Sequence, residues 1–212
     1  MIWKFTDNKS RDSIEQQFDW ARNMNEVPQD KLYHAEGNVA VHTWKVIEEL
    51  QQLPAYSDLG GQDKEILWTA ALLHDVEKRS ATVVESDGRI TARGHARKGE
   101  YTVRTLLYRD LPTPFAIREK IASLVRFHGL PLWLMEKTDP VRKIAEVAFR
   151  LDTSQLRMLA EADIRGRICQ DREELLESLD LFELFCREQG CWKKSREFTT
   201  DHARFRYFHT AE

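Results

Sequence analysis

With 212 residues, 42% of them hydrophobic and 32% charged, the chain is long enough to bury a core without disulfide staples. Its formal net charge of −3 gives no bulk electrostatic sign of a nucleic-acid binder, although local basic groups can still hold a phosphate. No run of 18 apolar residues occurs, which argues against a membrane-spanning helix, and the start MIWKFTDNKS lacks the apolar centre of a secretory signal.

The predicted elements, taken in chain order, are nearly all helices, because apolar residues recur at helical spacing. The first covers roughly 12–24, with Ile14, Phe18 and Ala21 on one face. The second, 38–52, has a broad apolar face of Val39, Trp44, Val46, Ile47 and Leu50. The third, 63–74, stops near Glu77-Lys78-Arg79. The segment 81–91 reads as a short hairpin or loop, with Val83-Val84 before Asp87-Gly88 and Ile90 after it. Further helices are predicted over 97–109, 114–127, 140–151, 153–167 and 171–189. Pro114 and Pro140 suit first-turn positions, where no amide bond is lost, and Gly190 suits a helix stop.

The expected fold is therefore all-α, a helical bundle around one core. Residues 1–190 are expected to form one domain. The tail 191–212 mixes basic and aromatic residues without a clear period, and either wraps back or leads toward something further. The three cysteines, Cys169, Cys186 and Cys191, are an odd set without paired spacing. That argues for a reducing compartment, so a cytoplasmic location is expected, with no membrane as partner.

Chemistry concentrates in histidines and aspartates. An apolar helix ends in Ala70-Ala71-Leu72-Leu73-His74-Asp75. Burying an imidazole and a carboxylate there costs free energy unless each has a partner. A shared divalent cation is one such partner. Neighbouring helical residues point about 100° apart, so other helices must supply further ligands. His42 and Asp163 each sit on a mostly apolar helix. With His74 and Asp75 they make a mixed nitrogen and oxygen set, suited to manganese, nickel, cobalt, iron or zinc, with copper also compatible. His95 and His128 could complete a second site about 3.5–4 Å from the first.

Each residue also has a structural reading. A lone helical histidine such as His34, His202 or His209 is more often a hydrogen-bonded core or surface residue. A helix-end dipole could account for His74-Asp75, and for Lys78 one turn later. His95 could neighbour an N-cap. Asp163 could make a plain surface pair with Arg165 or Arg167, and surface pairing is the more common state for Arg97, Arg165 and Arg167. Trp44, Trp68, Phe127 and Trp133 could stack bases, but their helical spacing favours core packing.

The order His42, His74-Asp75, Asp163 resembles the H…HD…D signature of HD-domain metal-dependent phosphohydrolases. Around it, Tyr33-His34-Ala35-Glu36-Gly37-Asn38-Val39-Ala40-Val41-His42-Thr43 resembles the opening of the HD domain in bacterial tRNA nucleotidyltransferases. His74-Asp75-Val76-Glu77-Lys78 resembles their HDxxK segment. Gly94-His95, Phe127-His128 and Glu161-Ala162-Asp163-Ile164-Arg165-Gly166-Arg167 follow in the same order, so that the likeness covers roughly 30–170. The chain departs from the pattern at Glu77, where the family usually has glycine. The segment Asp201-His202-Ala203-Arg204-Phe205-Arg206-Tyr207-Phe208 is similar to the exit of the HD domain in bacterial enzymes that join an HD phosphoesterase to a P-loop polynucleotide kinase. No G-x-x-x-x-G-K-[ST] occurs here. The end at Glu212 is thus expected to mark an isolated HD portion, its covalently linked kinase lying in the full-length protein.

The resemblance implies an HD-domain helical bundle holding one or two divalent metals through His42, His74, Asp75, Asp163, His95 and His128. It implies hydrolysis of 2′,3′-cyclic phosphates and 2′-phosphates, with 3′-phosphates a further substrate class, at RNA ends or on nucleotides during end repair. Asp75 would hold the metal and bridge two if both are present, while Lys78 would offset phosphoryl charge. His34, Glu36, Arg79, Thr82, Arg97, Arg165 and Arg167 would contact substrate. Two other readings stay open at this point: a small-molecule nucleotide phosphatase, and a metal-stabilised RNA-binding domain without catalysis.

Overall fold

The computed structural model describes residues 1–209. Helices α1 (Arg11–Gln17) and α2 (Asp19–Asn23) open the chain. They are followed by α3 (Val39–Gln52), α4 (Pro54–Ser57), α5 (Gly61–Leu73) and α6 (Lys78–Ala81). Strands β1 (Val83–Val84) and β2 (Ile90–Thr91) form an antiparallel hairpin, pairing Val83 with Thr91 and Val84 with Ile90. Then come α7 (His95–Arg109), α8 (Phe115–Phe127), α9 (Leu130–Trp133), α10 (Pro140–Ala148), α11 (Thr153–Gly166), α12 (Arg172–Glu188) and α13 (Asp201–His209). The all-α expectation holds, since the small hairpin is the only sheet among the described residues.

Helix α5 is the axis of the bundle. Every residue from Ile66 to Leu73 is buried, so it is apolar all round, as a central helix must be. It packs between α3 and α8, while α11 lies along α3, α12 covers α11, and α7 pairs with α8. Trp68, Leu67, Leu72 and Leu73 are at most 1% exposed. Burying each of the three leucine side chains contributes about 1.5–3 kcal/mol before chain entropy is set against it.

The predicted boundaries hold where a cap is readable. Asn38 accepts from the Val41 amide at 2.9 Å and starts α3, and Asp152 accepts from Ser154 to start α11. They fail where packing overrides periodicity. The first predicted helix is two helices, because Phe18 adopts φ −128°, ψ 113°. Its ring instead joins Phe5 at 5.3 Å and Trp20 at 5.4 Å, an aromatic cluster that outweighs one continued helical turn. Pro140 does occupy the first turn of α10, but Pro114 sits one residue earlier than expected, at the N-cap of α8. Helix α10 ends at Ala148 rather than near 151.

The tail contains α13, which contacts α10. Tyr207 and Phe208 pack against the main core, and the Phe208 ring meets Phe149 at 5.4 Å. Residues 210–212 of the predicted tail lie outside the described residues. All three cysteines are free thiols. Among the described residues, no helix is long and apolar enough to cross a membrane.

Candidate metal centre

Four helices and one turn deliver the cluster. His42 lies on the buried face of α3, between Ala40 and Val46. The α5 axis ends at Leu73, so His74 and Asp75 follow in the turn leading to α6. Gly94, at φ +78°, takes the left-handed conformation that starts α7 with His95. His128 is the C-cap of α8, and Asp163 lies on the buried face of α11. Gly166 explains how α11 comes so near α3. A Cβ there would stand 2.9 Å from Val46 Cγ2 and 3.0 Å from Val46 N. With no Cβ in the way, Asp163 Oδ1 reaches His42 Nε2 at 3.0 Å across 121 residues of sequence.

Three imidazoles share one tautomer. The Nδ1 atoms of His74, His95 and His128 lie 2.7, 2.7 and 2.8 Å from the carbonyl oxygens of Ala71, Ala92 and Val125. A carbonyl can only accept, so each Nδ1 carries a proton, and in the neutral ring each Nε2 then presents a lone pair. Those lone pairs converge on Asp75. His74 Nε2 stands 3.2 Å and His42 Nε2 3.8 Å from Asp75 Oδ2. His95 Nε2 and His128 Nε2 stand 3.1 and 3.9 Å from Asp75 Oδ1, and 3.4 Å from each other. Buried acceptors facing acceptors repel. His74 Nε2 and Asp75 Oδ1 have no hydrogen-bond partner among the described residues, a costly state for buried polar atoms. A cation between them would turn that repulsion into ligation, so the residues fit a divalent metal. Asp75 belongs to two trios of possible ligands, one with His42 and His74, the other with His95 and His128.

The electrostatics are of one kind. Burial opposes the charge on Asp75, but Lys78 and His74 outweigh it and hold the carboxyl well below its ordinary range. Burial is likewise outweighed at Asp163 by Arg167 and His42. His74 is raised despite burial, through Asp75 and Asp163. The field that favours a proton on its ring would favour a metal cation there. Burial lowers His128 to about 3, helped by His74 and His95, so this ring is neutral and able to ligate at any ordinary pH.

The surrounding residues divide into those the fold brings to the cluster and those it does not. Lys78 Nζ lies 2.8 Å from Asp75 Oδ2 and donates to Gln29 Oε1 at 2.6 Å. Glu36 takes His42 Nδ1 at 2.9 Å, His34 Nδ1 at 2.8 Å and the Ile168 amide at 2.8 Å, a fully buried carboxylate orienting two rings. Arg167 grips both oxygens of Asp163. Asp163 is only 2% exposed, which corrects the surface-pair reading for that residue and for Arg167. Arg165 does make a surface pair, with Glu161 at 2.8 Å, and lines neither groove beside the cluster. Arg79 is likewise engaged by Glu77 at 3.1 Å and lines neither groove. Thr82 and Arg167 line a groove of about 560 Å³ next to His34, Lys78 and His95, while Arg97 lines a second of about 460 Å³ next to His95 and His128.

Trp68 and Phe127 are core residues, at 1% and 4% exposure, but Trp133 is half-exposed and borders both grooves. His202 is exposed on α13, consistent with the surface reading. The residue that sequence reasoning missed is Gln29. It positions Lys78 from 49 residues away, and no local pattern announces such a contact. Glu77, where glycine was expected, is buried and accepts from Ser80, Arg79 and Thr102. It ties the turn after Asp75 to α7.

A helical bundle that gathers four imidazoles and two carboxylates, with acceptor atoms facing one another, has the donor set that a metal-dependent hydrolase requires. Residues 39–163 match the family model described as HD domain. That span is more than half the chain and runs from the first residue of α3 to Asp163, and the chain belongs to the HD-domain family. No curated protein matches the sequence.

Proposed function

We propose that this chain is a phosphoesterase that hydrolyses 2′,3′-cyclic phosphates and 2′-phosphates at RNA ends or on nucleotides, in RNA end healing. The observation that carries the metal chemistry is the shared tautomer: three backbone carbonyls take the Nδ1 protons and leave three Nε2 lone pairs facing Asp75. His42, His74, Asp75 and Asp163 would hold one divalent transition ion, with manganese, nickel and cobalt the first candidates. His95 and His128, sharing Asp75, would hold a second or bind phosphate directly. Such an ion, when bound, supplies Lewis acidity and lowers the pKa of water.

The chain's own residues supply the rest. Lys78, fixed between Asp75 and Gln29, offsets negative charge on phosphoryl oxygens as it grows in the transition state. Glu36 orients His42 and His34. Burial lowers His34 to about 4, so it meets substrate as a neutral hydrogen-bonding ring. The choice of an RNA end rests on the end-healing resemblance of the sequence, and is supported by the two cation-bearing grooves flanking the cluster. As in the resemblance, the exit after Cys191 would lead toward a kinase domain in a full-length protein.

The test is to supply manganese, nickel or cobalt to purified protein and measure phosphate release from 2′,3′-cyclic, 2′-, 3′- and 5′-phosphates. Release from the cyclic and 2′ esters is expected. Activity confined to 5′-phosphates would replace this reading with a nucleotidase. Metal that raises the melting temperature while no ester is cleaved would leave only a metal-stabilised binding domain.

A further inference from the structure

The groove beside His128 carries more than the hydrolase reading uses. It is lined by Arg97, Arg126, Lys137 and Lys143, and no carboxylate among the described residues lines it. Arg97 and Lys137 are exposed and make no ion pair among the described residues. The other two are held in place. Phe127, the residue before His128, carries Arg126 at 5.4 Å and Lys143 at 5.2 Å from its ring centre. Arg126 also reaches the buried Glu100 at 3.4 Å, and Lys143 pairs with Glu146 at 3.0 Å. The ring that anchors these cations is thus adjacent in the chain to a cluster histidine, which sets their position relative to the cluster.

Where this groove meets the one containing Lys78 and Arg167, His95 and Trp133 border both. Trp133 is 49% exposed, so a large part of its ring is open to the two grooves it borders. Unpaired cations beside an exposed indole match the chemistry of an unstacked base joined to phosphates: the charges track the backbone and the ring takes a base face. In a duplex the base faces are already stacked, so the indole has nothing to take.

We propose that this groove is a strand-binding path, taking a base on Trp133 and backbone phosphates on Arg97, Arg126, Lys137 and Lys143 of a single-stranded nucleic acid whose end reaches the His–Asp cluster. The inference rests on the phosphoesterase reading only for what happens at that end. It makes a polynucleotide terminus, rather than a free mononucleotide, the preferred substrate.

Binding of a fluorescent ten-nucleotide single-stranded RNA with plain hydroxyl ends, followed by anisotropy over a range of salt, tests the path without any hydrolysis. The strand should bind at least tenfold more tightly than a mononucleotide, and affinity should fall steeply with salt. Arg97→Gln with Lys137→Gln removes two exposed, unpaired cations at no cost to the fold. It should lower the log–log salt slope by about 1.4, since each single-strand phosphate contact contributes about 0.7. Trp133→Leu should weaken binding about fivefold or more with the slope unchanged. An unaltered slope in the double variant, a decamer that binds no better than the mononucleotide, or a duplex that binds as tightly as the single strand would each overturn the path. Strand binding as described, with no ester cleaved by metal-loaded protein, would uphold the path and remove the phosphoesterase. Cleavage of mononucleotide esters without strand binding would do the reverse.

Discussion

The two sides of Asp75 are built differently. On the Oδ2 side, His42 and His74 are wholly buried and Asp163 nearly so, with Arg167, Lys78 and Glu36 compensating or orienting them. On the Oδ1 side, His95 and His128 have no carboxylate but Asp75 itself among the described residues, and the His95 side chain is 22% exposed. The first side is a closed, charge-balanced nest held by tertiary contacts. The second is an open rim at the junction of two grooves. Buried carboxylates and imidazoles together make a donor set shut off from water, whereas the rings at the rim are the ones a ligand can reach from solvent.

The largest expected effect breaks both sides at once. Asp75→Ala removes the residue common to both trios and should cost about a thousandfold or more in turnover, roughly 4 kcal/mol of barrier. Helicity should persist by circular dichroism, because the α5 axis ends before Asp75. Residual turnover near wild type would count against any shared role for this carboxylate.

Gly166→Val strikes the buried side alone. The new side chain meets Val46 backbone, so α11 must retreat from α3. Overpacking of this kind costs about 1–3 kcal/mol, readable in denaturant melts. The retreat moves Asp163 from His42, so metal should no longer raise the melting temperature as far, while strand binding at the open rim stays as it was.

Glu36→Gln is milder. It keeps the volume but weakens the acceptor that orients His42, and loss of such a support typically costs about 10–100-fold in metal affinity. Titration with manganese or cobalt reads it directly. An equal loss in a variant of the Arg97 groove would erase the contrast between the two sides.

The smallest effect is in pH. The folded-state pKa of His34 lies near 4, below the ordinary 6.5, so the unfolded chain binds the proton more readily. The metal-free protein therefore has this contribution in full above about pH 6.5 and loses it as pH falls toward 4. His34→Gln should flatten that share of the slope in denaturant melts at pH 4.5 and 7. An unchanged slope would show that His34 is not held neutral by its surroundings.

Much of the candidate site was legible because its residues break a pattern. His42, Asp163 and the pair His74-Asp75 stand on otherwise apolar helical faces, where a polar group needs a reason to be. Arg165 and Arg167 look alike in sequence, yet one pairs with Glu161 at the surface and the other clamps buried Asp163. Arg165 lies in the last turn of α11 and Arg167 is its extended C-cap, so they point in different directions, and only the packing partner tells which is buried. Gln29 was not legible as a site neighbour for the same reason, and helical spacing placed Trp133 in the core where the structure leaves it half-exposed.

The sequence by itself determined that the chain is a bundle of helices, where capped helices such as α3 and α11 begin, and which imidazoles and carboxylates must find partners. Apolar periodicity, capping residues and desolvation cost are local properties, readable one segment at a time. Only the tertiary structure decided that His42 meets Asp163, that Phe18 splits the first helix, that three Nε2 lone pairs face one carboxylate, and that cations gather along one groove. Those outcomes depend on distances between segments up to 121 residues apart, set by how closely helices such as α3 and α11 can pack.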